Sequence, residues 1–167
     1  MAAIKEKIVN VSSVALETKR PILVSACLLG INCKYNGQNN RKEAVINLAK
    51  SQLVIPVCPE VLGGLPTPRA PQSIAGGTGA DVLDKKATVL TNEDVDVTEN
   101  FLRGAEETLK IAEINNCSQA IFKERSPSCG VHFIHSFDKN GKLIPGEGVT
   151  TALLKRKGIK VISDEEL

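Results

Sequence analysis

The sequence has no tryptophan, and aromatic residues make up only 3% of it. So few aromatic side chains argue against a base-stacking surface for single-stranded nucleic acid. They also leave Val, Ile, Leu and Ala to fill the core, as is common around buried parallel strands. No apolar run is long enough to cross a bilayer, and the first twenty residues lack the uninterrupted apolar core of a signal peptide. We therefore expect a cytoplasmic protein with no membrane partner.

Lysine and arginine are scattered along the chain rather than massed, and the net charge at pH 7 is only +2. A polybasic surface for a nucleic-acid polymer is therefore not expected. The G-x-G-x-x-G fingerprint of dinucleotide sites is also missing. The GGTG segment at 76–79 follows no predicted strand, so its glycines indicate loop motion better than a phosphate site.

Short apolar runs alternate with helical patterns along most of the chain. Strands are predicted over 21–26, 53–57, 120–123 and 159–162, and helices over 41–50, from near Asp96 to about 114, and over 148–158. A minor strand is predicted within 87–98, a small β excursion over 131–146, and a long irregular region over 59–80. This alternation predicts the α/β class: a three-layer, Rossmann-like domain with a mostly parallel sheet of about four strands and helices on both faces. We expect one domain over 20–167, with residues 1–19 as an N-terminal arm or docked helix.

Five cysteines are present, and they form no C-x-x-C pair. Cys27 follows the first predicted strand, Cys58 follows the second directly, and Cys129 lies in the loop after the third. Because the carboxyl ends of parallel strands meet at one edge of a sheet, the three thiols should converge there. Thiolates are soft ligands, which suit an iron–sulfur cluster or zinc. Structural zinc, however, is usually bound through close pairs such as C-x-x-C.

Polar residues beside these cysteines are candidates for proton transfer. Glu60 lies two residues after Cys58, and Ser126 and Ser128 precede Cys129 in the segment SPSCG. As alternatives, Glu60 is a solvated loop charge and the serines shape a turn. Arg69 either anchors a polar substrate group or ties down its own loop.

A family resemblance is carried by ILVSACLLG, KYNG, PVCPEVLGGLPTPR, DVTENFLRGAEETL, KERSPSCG and GEGVTTALL, in that order. Over residues 21–163 the chain resembles the DUF523 family, which includes the thiouracil desulfidases. The resemblance implies a [4Fe-4S] cluster bound by Cys27, Cys58 and Cys129, whose open fourth iron takes the substrate's sulfur without net redox change. It implies as substrate a small thiolated base or nucleoside, with Glu60, Ser126 and Ser128 as the residues that move protons.

Two other uses of the cysteines remain open at this point. One is a non-catalytic zinc site built from Cys27, Cys33, Cys58 and Cys129, and the other is a thiol-redox protein with a reversible Cys27–Cys33 disulfide. Cys33 is left outside the expected cluster, with two alternatives open: it replaces one of the three ligands, or it serves as a fourth. Cys117 lies just after the long predicted helix, away from any motif, where ordinary burial explains it best. The sequence leaves open whether the protein is a homodimer.

Overall fold

The computed structural model describes residues 20–137 and 141–167 and contains eight strands and five α-helices in that part of the chain. In chain order these are β1 (Ile22–Ser25), α1 (Glu43–Ala49), β2 (Val54–Val57), α2 (Pro59–Leu62), β3 (Gln72–Ala75), α3 (Gly79–Leu83), β4 (Thr88–Thr91), α4 (Thr98–Ile114), β5 (Gln119–Phe122), β6 (Phe133–His135), β7 (Leu143–Pro145), α5 (Val149–Arg156) and β8 (Lys160–Ser163). Short 3₁₀ turns follow β1 and β8.

The central sheet has four parallel strands in the order β2-β1-β5-β8. All four correspond to the four main predicted strands, so the predicted α/β class with a mostly parallel sheet is confirmed. Pro56 lies in β2, an edge strand of this sheet. The edge is where a residue without an N–H donor is tolerated.

Side chains alternate between the two faces of the sheet, and each face is covered by helices. Leu23 packs on one face with Ala112 of α4 and Leu154 of α5. The next residue, Val24, packs on the other face with Val45 of α1. Helices therefore lie on both faces, because strands that are buried on two sides need apolar cover on each.

The region 59–80 differs from the irregular loop predicted for it. It contains α2, β3 and the start of α3, and β3 pairs with β4 in a two-stranded antiparallel sheet. Ile74 of β3 packs against Val89 of β4 in a second apolar cluster with Phe101. The GGTG segment therefore does follow a strand. Four residues of alternating burial between glycines and prolines gave too weak a pattern to predict that strand.

The predicted small β excursion is present as the antiparallel pair β6 and β7. Residues 1–19, for which we predicted an arm or docked helix, lie outside the described residues, and the one-domain boundary at residue 20 stays a prediction. Within 20–137 and 141–167, none of the helices is both long enough and apolar enough to cross a membrane.

Candidate functional site

A cavity of about 490 Å³ opens at the carboxyl ends of the central strands. Cys27 follows β1, Cys58 follows β2 directly, and Cys129 lies in the loop after β5, and all three line this cavity. Cys33 lines it as well. All five cysteines of the chain are free thiols. The structure thus brings together the three thiols that strand order placed at one edge, and adds a fourth.

Cys27 lies in the 3₁₀ turn that follows β1, and Asn40 fixes it from the next loop. The carbonyl of Cys27 accepts a hydrogen bond from the backbone N–H of Asn40 at 2.9 Å. The Asn40 side chain donates to the sulfur of Cys27 at 3.6 Å. Burial raises the pKa of the Cys27 thiol, while the Asn40 hydrogen bond opposes that rise. Sequence reasoning missed Asn40, because it stands in a polar segment that indicated only a loop.

Cys58 and Cys33 form a hydrogen-bonded pair of thiols. The hydrogen bond from Cys33 lowers the pKa of Cys58 to about 7, and it raises the pKa of Cys33 in turn. The burial of Cys58 opposes its ionisation, and a hydrogen bond from the backbone of Val61 favours it. In its protonated form, the Cys58 thiol lies 3.7 Å from the Cys33 carbonyl and can donate to it. Cys58 is therefore the thiol of the cavity that is most readily ionised.

Cys129 is held in a tight turn formed by the segment SPSCG. The Ser126 hydroxyl oxygen accepts hydrogen bonds from the backbone N–H groups of Ser128 at 3.2 Å and Cys129 at 3.1 Å. The Thr151 hydroxyl donates to the Cys129 carbonyl at 2.8 Å. Burial raises the pKa of the Cys129 thiol well above its ordinary value. Cys129 is thus a neutral thiol before any cation binds.

The two predicted serines occupy different environments. Ser126 lines the cavity. Ser128 is only 1% exposed, and its hydroxyl is 3.0 Å from the Thr150 hydroxyl at the start of α5. Of the two serines, Ser126 therefore lines the cavity and Ser128 does not. The hydroxyl of Ser128 joins the cysteine loop to α5.

Two glycines allow the cysteine segments to pack closely against helices. A Cβ on Gly104 of α4 would lie 2.0 Å from the carbonyl oxygen of Pro59, the residue after Cys58. A Cβ on Gly148 would lie 2.4 Å from the backbone of Ser128, the residue before Cys129. No residue larger than glycine fits where the backbone comes this close. The two glycines therefore help to fix the positions of Cys58 and Cys129.

Glu60 forms a buried ion pair with Arg69. The Arg69 Nε atom donates to Glu60 Oε2 at 2.7 Å, and Nη2 bonds the same oxygen. Nη1 donates to the carbonyls of Cys33 at 3.1 Å and Pro66 at 3.2 Å. The side chains of Arg69 and Glu60 are 4% and 12% exposed. Arg69 therefore ties down its own loop, which was one of the two roles predicted for it, and Glu60 is more enclosed than a solvated loop charge.

Lys123 and Glu124 also line the cavity, and sequence reasoning missed both. Lys123 lies 3.4 Å from the Asp164 carboxylate at the end of β8. The Glu124 carboxylate accepts backbone hydrogen bonds at the base of the Cys129 loop. The one available signal was their position directly after β5, beside residues already predicted to form the site.

The cysteines fit a cluster better than a single ion. Within residues 20–137 and 141–167, no three His, Cys, Asp or Glu side chains lie close enough together to hold one metal ion. A [4Fe-4S] cluster is larger than one ion, and each of its cysteine ligands binds a different iron, so the thiols that hold it are spread around a wider space. Cys27, Cys58 and Cys129 offer such a set, and thiolates are the ligands that iron–sulfur clusters prefer.

Comparison with known proteins agrees with this geometry. Residues 22–166 match the family model described as 2-thiouracil desulfurase. The chain belongs to this family. The uncharacterised protein YbbK of Bacillus subtilis (strain 168) is 49% identical over 146 residues, which cover 87% of this chain and 97% of YbbK.

A solved structure has the same fold. It is the [4Fe-4S]-dependent thiouracil desulfidase TudS, a DUF523 protein, which matches with a TM-score of 0.78 and 40% identity. The match covers 89% of this chain and 93% of TudS. The resemblance to the DUF523 family that the motifs predicted is therefore confirmed.

Proposed function

We propose that this protein is a [4Fe-4S]-dependent desulfidase, which replaces the sulfur of a thiolated pyrimidine by oxygen and releases sulfide. The observation that carries the proposal is the convergence of Cys27, Cys58 and Cys129 on one cavity, in a chain 40% identical to a thiouracil desulfidase of the same fold. The overall change is a hydrolysis: water supplies the new C–O bond, the C–S bond breaks, and no electrons are gained or lost.

The three cysteines would hold the cluster, one from the loop after each of β1, β2 and β5. With three protein ligands, a bound cluster supplies an open iron that acts as a thiophilic Lewis acid toward the substrate's sulfur. The chain supplies the rest of the site. Its walls enclose the base, and its side chains place and move protons.

Glu60 is the candidate base. Its carboxylate enters the cavity from α2, two residues after Cys58, and Arg69 holds it through one oxygen, Oε2. The other oxygen, Oε1, is then the one that can take a proton from the attacking water. The ion pair with Arg69 fixes the Glu60 carboxylate in the cavity wall, close to where a substrate would bind.

Ser126 is the candidate hydrogen-bond donor. Its oxygen already accepts two backbone N–H groups, so its own hydrogen is left to donate toward a substrate atom in the cavity. Ser128 was predicted for the same task, but its hydroxyl is paired with Thr150 behind the loop. We therefore assign Ser126 to the substrate and Ser128 to the positioning of Cys129.

The substrate is proposed to be a small thiolated base or nucleoside. The cavity, at about 490 Å³, lies in the usual range of small-molecule sites, and a cluster would fill part of it. We do not propose a nucleic-acid polymer as substrate. Whether the protein forms a homodimer is left open. We place the reaction in the cytoplasm, where a reducing environment keeps thiols free for a cluster.

The test is anaerobic reconstitution with iron and sulfide, followed by incubation with 2-thiouracil, 4-thiouracil and their nucleosides. The expected result is a brown protein with about four irons per chain that forms the oxo base and an equal amount of sulfide. Chromatography measures the base, and a colorimetric assay measures the sulfide.

Three results would overturn the proposal. A fully loaded protein that converts none of these compounds would remove the activity. A colourless protein with one zinc per chain would favour the non-catalytic metal site instead. A protein that binds neither metal and cycles between dithiol and disulfide would favour the thiol-redox alternative.

A further inference from the structure

Glu124 is a buried carboxylate that the proposed chemistry does not use. Its side chain follows β5, and the residue is only 3% exposed. One oxygen, Oε1, accepts hydrogen bonds from three successive backbone N–H groups, those of Val131 at 3.1 Å, His132 at 3.0 Å and Phe133 at 2.9 Å. Successive amides that point at one oxygen form a concave anion site within the chain.

These hydrogen bonds keep the carboxylate ionised. Burial opposes the charge, but the hydrogen bonds from the three amides help to lower the pKa of Glu124 to about 2. Hydrogen bonds to an ionised acceptor are roughly twice as strong as those between neutral groups. At neutral pH the carboxylate is therefore a strong and permanent partner for the three amides.

The carboxylate closes the loop that carries Cys129. The loop leaves the central sheet after β5, at Glu124, and enters β6 at Phe133, so the side chain joins its two ends. The first end is itself fixed, because the backbone N–H of Glu124 donates to the Asp164 carboxylate at 2.7 Å. Arg125, the next residue, has a left-handed backbone with φ of 67°. A residue other than glycine keeps that conformation only where its surroundings impose it.

We propose that Glu124 is a positioning residue, which fixes Cys129 on the cavity wall by closing its loop through a buried carboxylate. Ser126 orders the turn from inside, and Thr151 holds it from α5, while the Glu124 side chain joins the two ends of the loop. The closed loop presents the thiol before any cluster binds. The benefit for cluster binding rests on the proposed function, whereas the closure of the loop does not.

The test is thiol labelling of the full-length, reduced, cluster-free protein. Each cysteine's alkylation rate is measured by mass spectrometry, with buried Cys117 as the internal reference for global opening. In Glu124→Gln the amide keeps the shape but loses the charge. The rate for Cys129 relative to Cys117 should rise about tenfold or more, because three charge-assisted hydrogen bonds are weakened. Glu124→Asp, which keeps the charge, should restore part of the protection.

A matched control is Glu165→Gln. Glu165 pairs with Arg125 of the same loop at 2.7 Å, but both side chains are about half exposed. An exposed pair contributes little, so the labelling ratio should change by no more than about twofold. In the reconstituted proteins, a chelator should remove iron faster from Glu124→Gln than from the wild type or Glu165→Gln, as followed by visible absorbance.

The proposal is overturned if Cys129 and Cys117 become reactive in parallel, which would indicate global destabilisation, or if the ratio does not change. Should Glu124→Gln not fold, Glu124→Asp is tested by the same ratio, since its shorter side chain must also loosen the loop selectively. A wild type without desulfidase activity would refute the proposed function but leave the labelling result standing, so the two failures are distinguishable.

Discussion

Replacing Arg69 by methionine tests whether this side chain holds the wall of the cavity together. Methionine keeps much of the stem but removes the guanidinium. The change breaks the ion pair with Glu60 and the hydrogen bonds to the carbonyls of Cys33 and Pro66. The Glu60 carboxylate would remain largely enclosed, at 12% exposure, without its partner.

The loss of stability in Arg69→Met follows from the burial of Glu60. Removing one partner of a buried ion pair costs about 3–5 kcal/mol in the free energy of unfolding, because the other charge is left uncompensated. Water reaches Glu60 from the cavity, so the lower end, about 3 kcal/mol, applies here. For a domain of this size each kcal/mol lowers the melting temperature by about 2–4 °C, so Arg69→Met should melt about 6–12 °C below the wild type.

The assay is thermal unfolding of the reduced, cluster-free protein, followed by circular dichroism. Arg156→Met is the matched control, because Arg156 pairs with Asp84 at 2.8 Å but both side chains are 40–44% exposed. Such an exposed pair contributes little to the free energy of unfolding, so Arg156→Met should melt close to the wild type. In Arg69→Met combined with Glu60→Gln, part of the loss should be recovered, since no unpaired charge remains. Equal melting temperatures for Arg69→Met and Arg156→Met would refute the reasoning.

The cysteines and Glu60 can each be tested by substitution or labelling. Cys58→Ser should abolish cluster binding while Cys117→Ser keeps a full cluster, as iron and sulfide analysis will show; a full cluster in Cys58→Ser would contradict the ligand assignment. Glu60→Gln should keep the cluster and lose turnover about 100-fold or more, and unchanged turnover would remove Glu60 from the mechanism. Because the thiolate is the reactive form, alkylation of Cys58 in the cluster-free protein should rise through a midpoint near its pKa of about 7. Cys27 should react only at higher pH, since burial raises its pKa. A Cys58 midpoint at the ordinary value of 9.0 would contradict the Cys33 hydrogen bond.

The sheet could be predicted because its strands are dense in apolar residues. β1 and β5 are buried on both faces, and such strands appear in a sequence as short continuous apolar runs. The segment of β3, QSIA, has one large apolar residue in four and lies between proline and glycine, so it carried no such signal. Its strand exists because Ile74 reaches the cluster around Phe101 and because β4 pairs with it, and both partners are remote in sequence.

The site was predictable to the extent that it follows from strand ends. The positions of Cys27, Cys58 and Cys129 needed only the order of the elements and the rule that parallel strands end at one edge. The partners of these residues needed three-dimensional contacts. Nothing in the sequence indicates that Arg69 bonds Glu60 nine positions away, or that Glu124 reaches the amides of residues 131–133.

The protonation of the cysteines explains why this cavity suits a cationic centre. Burial raises the pKa values of Cys27 and Cys129, so both are neutral thiols in the free protein. Each ionised sulfur also raises the pKa of the others through repulsion, as Cys27 and Cys58 do for Cys129. The Arg69 guanidinium, which lines the cavity, is already paired with Glu60. A strong positive charge between the sulfurs favours three thiolates here, and iron would supply that charge while the thiol protons are released.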